Sequence, residues 1–295
     1  MRILLIGHEG YIGSGLYRYL STRYQVTCWG KKNDICTLNA PILKELKIKA
    51  IINCAAVIDR ISMGFVVGSE SDRVNVNGMY TLVRALKDQE VKLIHISTKD
   101  VFGMAYTSTD VDENADSYKP KFFIDDNHAF SPETTYAKTK LMSEYIAESH
   151  PFAVIIRLSC CYTDYYHHRG SWIHNLIKIL LQGKPVTVTD EGKQFRAPLN
   201  VDDLGGLIDN ILVSNAYGVK INADGGINNI YSVLQVIRMI APNAKINKVG
   251  DVLDYGFAFN NRLAGTLFNW KPSILLSDRL PVMRENINLR RAISV

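Results

Sequence analysis

No apolar run in this 295-residue chain approaches the roughly 20 residues that span a bilayer, which excludes a membrane-spanning reading. The stretch closest to a leader, Ile3-Leu4-Leu5-Ile6, is interrupted by Gly7 before an apolar h-region can form. A soluble, unprocessed, cytoplasmic chain is therefore expected. Cysteine is scarce: five residues, at 28, 36, 54, 160 and 161, with no CxxC pair. Cys28, Cys54 and the Cys160-Cys161 pair lie inside apolar runs, so buried free thiols are expected instead of disulfides or a metal centre. Charge of one sign is also lacking. The net charge is only +5, and the Lys and Arg residues are scattered, which argues against the basic stripe of a nucleic-acid binder. Twenty Gly and nine Pro are ordinary numbers, which removes collagen-like and low-complexity readings. With 47% apolar and 21% charged residues the chain is expected to fold.

What the chain does have is alternation. Strand-length apolar runs at 2–6, 25–29, 50–56, 91–97 and 153–159 are separated by helix-period segments. These helical segments follow residue 10 and cover about 40–47, 71–88 and 132–149. Strands alternating with helices predict βαβ units, a parallel sheet and an α/β fold. Their near-continuous apolarity predicts burial on both faces. Beyond residue 163 the rhythm loosens, with helices expected at 171–182, 201–213 and 230–240 and strands at 185–189 and 219–223. The expected division is a sheet domain over 1–162, rejoined by 200–224, and a smaller domain made of 163–199 and 225–295.

Gly7, Gly10 and Gly13 form GxxGxxG between the first strand and the first helix. The first glycine permits a tight turn, the second lets backbone approach a diphosphate, and the third allows close helix–strand contact. Tyr11 and Ile12 open the helix whose N-terminal N–H groups favour an anion. No Gly-Lys-Ser/Thr follows, so a Walker A loop is excluded. The second strand ends in Gly30-Lys31-Lys32, without the carboxylate that usually holds the adenosine ribose diol. Two cations there favour a 2′-phosphate, so NADP(H) is expected ahead of NAD(H), with a solvated turn as the bland alternative.

Tyr136 and Lys140 stand at i, i+4 on a helix that Ser131-Pro132-Glu133 is expected to start, with a capping hydroxyl, an early Pro and an acid. A nearby ammonium favours the phenolate, so the pair can give or take a proton at a carbonyl or alcohol. Ser97 and Thr98 end another expected strand, at the sheet edge where α/β folds build their sites. Thr98 is placed to put a hydroxyl beside the same substrate oxygen.

Six motifs in order resemble the extended short-chain dehydrogenase/reductase family of NAD(P)-dependent sugar epimerases, dehydratases and reductases. They are GxxGxxG at 7–13, Asn53-Cys-Ala-Ala56, Asn75-Val-Asn-Gly78, STKDVFG at 97–103, YxxxK at 136–140 and Asn200-Val-Asp-Asp-Leu204. The resemblance covers essentially residues 1–224. It implies a Rossmann domain with a small C-terminal substrate-binding domain, a nucleotide-diphosphate sugar as substrate, and a homodimer. It implies catalytic roles for Thr98, Tyr136 and Lys140, with Lys140 also on the nicotinamide ribose. Asp34 and Ile35 look like the pair facing the adenine, and Ala55, Ala56 and Asn75 match cofactor-lining positions. Arg196 matches an arginine that grips the sugar-nucleotide diphosphate.

Where the family's 4,6-dehydratases carry an Asp–Glu acid and base, this chain has Lys99 and Asp100. A lysine cannot take the role of that acid. The stretch from Pro132 to Glu144 is similar to the dTDP-4-dehydrorhamnose reductase branch. The resemblance thus implies reduction of a 4-keto-6-deoxy sugar, with Asp100 and Cys160 also beside substrate. Cys160 replaces an asparagine common there, and the loop between Thr98 and Tyr136 is longer than in that branch. An epimerase with tightly held NAD, or a non-catalytic NADP-binding regulatory subunit, are the alternatives.

Other features have plainer readings. Asp110 to Asp116 lacks the glycine and final glutamate of a calcium loop, so no metal is expected. His167, His168 and His174 read as surface histidines, and Tyr162, Tyr165 and Tyr166 as packing between domains. Arg157 reads as structural near the sheet edge, and Asp202 and Asp203 as helix-start acids favoured by the dipole alone.

Overall fold

The structure, a computed structural model, describes residues 1–168, 170–250 and 254–293. Six parallel strands form the central sheet: β1 (Arg2–Ile6), β2 (Gln25–Trp29), β3 (Ala50–Asn53), β4 (Lys92–Thr98), β5 (Ala153–Leu158) and β6 (Val219–Ala223), in the spatial order β6-β5-β4-β3-β1-β2. β1 is flanked by β2 on one side and β3 on the other, so the chain leaves it in both directions. That reversal opens a crevice at the carboxyl ends of β1 and β3.

Side chains of β1 alternate between two cores, as a period of two requires. Ile3 and Leu5 meet Leu16 and Leu20 of α1 (Tyr11–Leu20) and Leu204, Leu207 and Ile208 of a later helix. Leu4 and Ile6 meet Leu43, from the helix α2 (Ala40–Glu45), and Met79 and Leu82 of α3 (Gly78–Ala85). All four β1 residues are fully buried, so the apolar run reflects burial on both faces.

Three local details differ from expectation. The long 71–88 segment is not one regular helix: Asp72–Asn77 form a π-helical turn before α3. The helix bearing Tyr136, α4 (Thr135–Glu148), begins three residues later than Ser131 would place it. Thr134 is the cap, accepting the Ala137 N–H, because the Ser131 N–H is bonded to the Val101 carbonyl and its carbonyl packs on Gly103. Arg157 lies on β5, inside the sheet and fully buried, not at its edge.

After β5 the chain leaves the sheet through α5 (Trp172–Leu180), returns with α6 (Val201–Val213) and β6, and closes with α7 (Val233–Ile240), α8 (Arg262–Phe268) and α9 (Leu276–Ile293). A separate apolar cluster of Tyr162, Ile173, Ile177, Val236, Ile237 and Met283 holds this part together. Asp203 does more than sit at a helix start. Its carboxylate accepts from the Ser273 and Ile274 N–H groups and the Ser273 hydroxyl, tying α6 to the turn before α9. The 110–121 stretch is an antiparallel hairpin, Val111–Glu113 against Tyr118–Pro120. It is pinned by Tyr118 N–H to the Lys193 carbonyl and Ser232 Oγ to the Asp116 carbonyl, so it is an anchored decoration. No helix among the described residues is long and apolar enough to cross a membrane.

Candidate active site

The glycine turn is forced by close backbone packing. Gly7 has φ of +79°, and a Cβ there would lie 2.7 Å from the Ala55 N–H nitrogen. A Cβ on Gly13 would lie 2.2 Å from the Gly7 carbonyl oxygen. Such packing turns the chain from β1 into α1, whose first N–H groups have no intrahelical partner. The crevice beside it is a groove of about 700 Å³ lined by Gly7, Gly10, Lys31, Asp34, Ile35, Ala55 and Ala56, seven of the residues named from sequence. Its size and backbone-rich floor suit a dinucleotide.

The remaining named cofactor residues act at one remove. Ile12 packs into the core beside α6, and Gly13 is buried. The Tyr11 hydroxyl accepts the Thr163 N–H and bonds His174 Nδ1 at 3.0 Å, bracing the glycine turn against the α5 region. Asn75 sits in the π-helical turn, where its amide bonds both the N–H and the carbonyl of Val57 and donates to Thr139 Oγ1. It stitches the loop after β3 to α4. Asp34 caps a short turn through the Cys36 N–H and pairs with Arg73, which also binds Glu70; these contacts hold the Asp34 carboxyl below its usual range.

At the carboxyl end of β4 the structure brings Thr98 beside Tyr136, where its hydroxyl bears on the phenol. The surroundings do not favour the phenolate. Burial and the Asp100 carboxylate push the Tyr136 phenol up to about 12. Lys140 does not touch it: the buried ammonium donates to the Ile96 carbonyl at 2.7 Å and meets His95 Nε2 at 3.1 Å. Burial draws this lysine down to about 8. Asp100 is clamped between Arg60, at 2.9 Å, and Lys99, at 3.4 Å; it is held ionised because these two cations outweigh its burial. Cys160 has Arg196 as a charged neighbour, and burial raises its thiol pKa. Arg196 itself is shared with Asp254 at 3.2 Å. All five thiols are free and half-buried.

Sequence reasoning missed three participants. Arg60 stands 5.4 Å from the Tyr136 ring centre and grips Asp100. Glu144, one helical turn beyond Lys140, forms a fully buried pair with Arg157 at 2.8 Å and accepts the Ser97 hydroxyl. The i, i+4 spacing from Lys140 was a readable signal for it. His95 faces Lys140 and Ser143 from β4, and no motif marked it. His174 is also corrected: it is fully buried, bonded to Tyr11, Ser171 and the Tyr165 carbonyl, and drawn down to about 4 by burial. Tyr162 is core, whereas Tyr165 and Tyr166 are partly exposed under Arg18 and Lys178.

The sheet order, glycine turn and crevice define a Rossmann-type α/β fold. Residues 3–223 match the NAD dependent epimerase/dehydratase family, and the chain belongs to that family. Among curated relatives, a dTDP-glucose 4,6-dehydratase of Haemophilus influenzae is 24% identical, over 82% of this chain and 81% of its own. The structure of a UDP-glucuronic acid 4-epimerase from Bacillus cereus, solved with UDP-glucuronic acid and NAD, superposes with a TM-score of 0.80 at 22% identity, covering 98% of this chain and 100% of that one. RMD from Pseudomonas aeruginosa, complexed with NADPH, superposes with a TM-score of 0.79 at 18% identity, covering 98% and 99%.

Proposed function

We propose that this family member is an oxidoreductase that reduces a keto carbon, of the 4-keto-6-deoxy type, on a nucleotide-activated sugar, with Tyr136 as proton donor. The observation that carries the reading is the state of two neighbours. Tyr136 is held as a protonated phenol beside Thr98, while Asp100 is held as a carboxylate between Arg60 and Lys99. A protonated phenol at that point gives its proton to an oxygen gaining charge, and Thr98 Oγ1 steadies the same oxygen. Elimination of water needs a carboxylic acid that releases a proton near neutral pH. Lys99 occupies the position of that acid, and Asp100, at the position of the base, is already engaged by two cations. Dehydration, the activity for which the Haemophilus relative is named, is therefore not the reading here.

The nicotinamide dinucleotide supplies the hydride when bound. Gly7, Gly10 and the backbone N–H groups of Tyr11 and Ile12 at the N-terminus of α1 would hold its diphosphate, Asp34 and Ile35 would flank the adenine, and Ala55 and Ala56 would floor the groove. Asn75 keeps the Val57 loop against α4, and Lys140 would hold the nicotinamide ribose. Arg196 and Cys160 line the substrate side, where the arginine suits a sugar-nucleotide diphosphate. Exposed Tyr80 on α3 and Met142 and Tyr145 on α4 favour pairing of two copies through these adjacent helices.

Consumption of NADH or NADPH, followed by absorbance on a panel of dTDP-, UDP-, GDP- and CDP-4-keto-6-deoxy sugars, tests the reading. Stoichiometric oxidation with one of them supports it; no oxidation with any, alongside tightly retained cofactor, moves it to an epimerase. That second reading is favoured by one feature, the Glu9 carboxylate in the groove, which suits NAD and runs against the NADP preference drawn from Lys31 and Lys32.

A further inference from the structure

β2 ends at Trp29, and Gly30 brings no side chain to the groove at the point where a carboxylate would meet the adenosine ribose. The space beside Gly30 is nonetheless filled. A Cβ built there would lie 2.5 Å from His8 Cε1 and 3.0 Å from the carboxyl carbon of Glu9. Glu9 Oε2 accepts the Lys31 N–H at 2.9 Å, which fixes the carboxylate over the end of β2. Glu9 also lines the groove. We infer that Glu9, from the glycine turn, supplies the carboxylate that β2 lacks and selects a dinucleotide with a free adenosine ribose diol, NAD(H), over its 2′-phosphorylated form. The inference rests on the dinucleotide reading above and adds its selectivity.

An ionised carboxylate only accepts, so it pairs with the two ribose hydroxyls and repels a phosphate at the same place. Its charge stays available: among the described residues no ion pair joins Glu9 to a lysine or arginine. The other acids on the groove wall, Asp34 and Glu70, are both tied to Arg73, so that guanidinium is already shared by two carboxylates. Lys31 and Lys32 are exposed, where salt screens their attraction for a phosphate. Gly30 thus leaves room for the His8 ring and for the Glu9 carboxylate beside it.

Binding of NAD+ and NADP+ to the purified full chain is measured separately by calorimetry and by tryptophan fluorescence, since Trp29 lines the groove. The wild-type protein is expected to bind NAD+ at least about tenfold tighter than NADP+. Glu9→Gln, which keeps the shape and removes the charge, is expected to bring the two within about threefold, mainly by tightening NADP+. Glu9→Ala should narrow the gap too, and also weaken NAD+ through loss of the diol contact. Equal or tighter NADP+ binding by the wild-type chain overturns the inference, as does a Glu9→Gln variant of unchanged melting temperature whose preference does not move. If neither nucleotide binds the wild-type chain, the cofactor reading itself falls and takes this one with it.

Discussion

The glycine groove at the ends of β1 and β3 and the tyrosine region at the end of β4 are built from different materials. The glycine end is backbone and small residues, with its charges near solvent: Glu9 and Lys31 are exposed, and Arg73 is shared in the open by Asp34 and Glu70. The tyrosine end is made of polar groups taken out of water. Thr98, Tyr136 and Lys140 are 4%, 7% and 1% exposed. At the open end shape comes from steric closeness, and the charges are screened by solvent. At the closed end desolvation sets protonation, moving the phenol up to about 12 and the lysine down to about 8. The two regions thus differ in how far their polar groups are taken out of water.

The sharpest way to break this contrast is Tyr136→Phe. Turnover is expected to fall about 100- to 10,000-fold, with dinucleotide binding retained, as judged by titration beside a rate assay. Equal loss of binding would mean that the two ends are not separable. Glu144→Gln tests the closed end through stability. It leaves Arg157 as a buried cation with a weakened partner, and chemical denaturation is expected to show a loss approaching about 3–5 kcal/mol. An Arg157→Met, Glu144→Leu double variant should recover much of that loss, because neither charge is then stranded.

The lysine gives a smaller effect with a definite sign. Lys140 has a folded pKa of about 8 against 10.5 when free. Between those values the unfolded chain binds a proton that the folded chain has released, so raising the pH through that window stabilises the fold. Below about pH 8 the full cost of the buried ammonium is present. Thermal melts without ligand should therefore show Lys140→Met most stabilised relative to wild type near neutrality, with the difference shrinking towards pH 10.5. A difference independent of pH would rule out a displaced lysine. The smallest change is expected from Arg60→Ala. Its side chain is 59% exposed, so stability should shift by less than about 1 kcal/mol. Because Arg60 opposes the rise of the Tyr136 pKa, the alkaline limb of the pH–rate profile should still move upward.

Much of the fold was legible. The inner strands of the central sheet were visible as apolar runs, since parallel strands covered on both faces have little solvent side to carry polar residues, whereas the outer strands β2 and β6 carry Gln25, Thr27 and Lys220. The glycine turn was legible for the same local reason, as was the i, i+4 placement of Tyr136 and Lys140. The capping of α4 was misread because two hydroxyl-bearing residues, Ser131 and Thr134, precede it. Only the commitment of the Ser131 backbone to Val101 and Gly103 decides between them. Arg157 was misjudged for a related reason: an arginine in a strand reads as an edge residue unless its partner is known, and Glu144 comes from another element.

The order of motifs along the chain thus determined the sheet, the crevice and which residues stand near it, because these follow from local periodicity and short-range sterics. The tertiary structure alone decided what those residues are charged with and whom they face. It turned Lys140 towards Ile96 and His95 and away from the phenol, clamped Asp100 between two cations, and carried Glu9 across to the empty end of β2. The physical reason is that protonation and pairing depend on desolvation and on neighbours brought together from distant parts of the chain, which no spacing within one segment encodes.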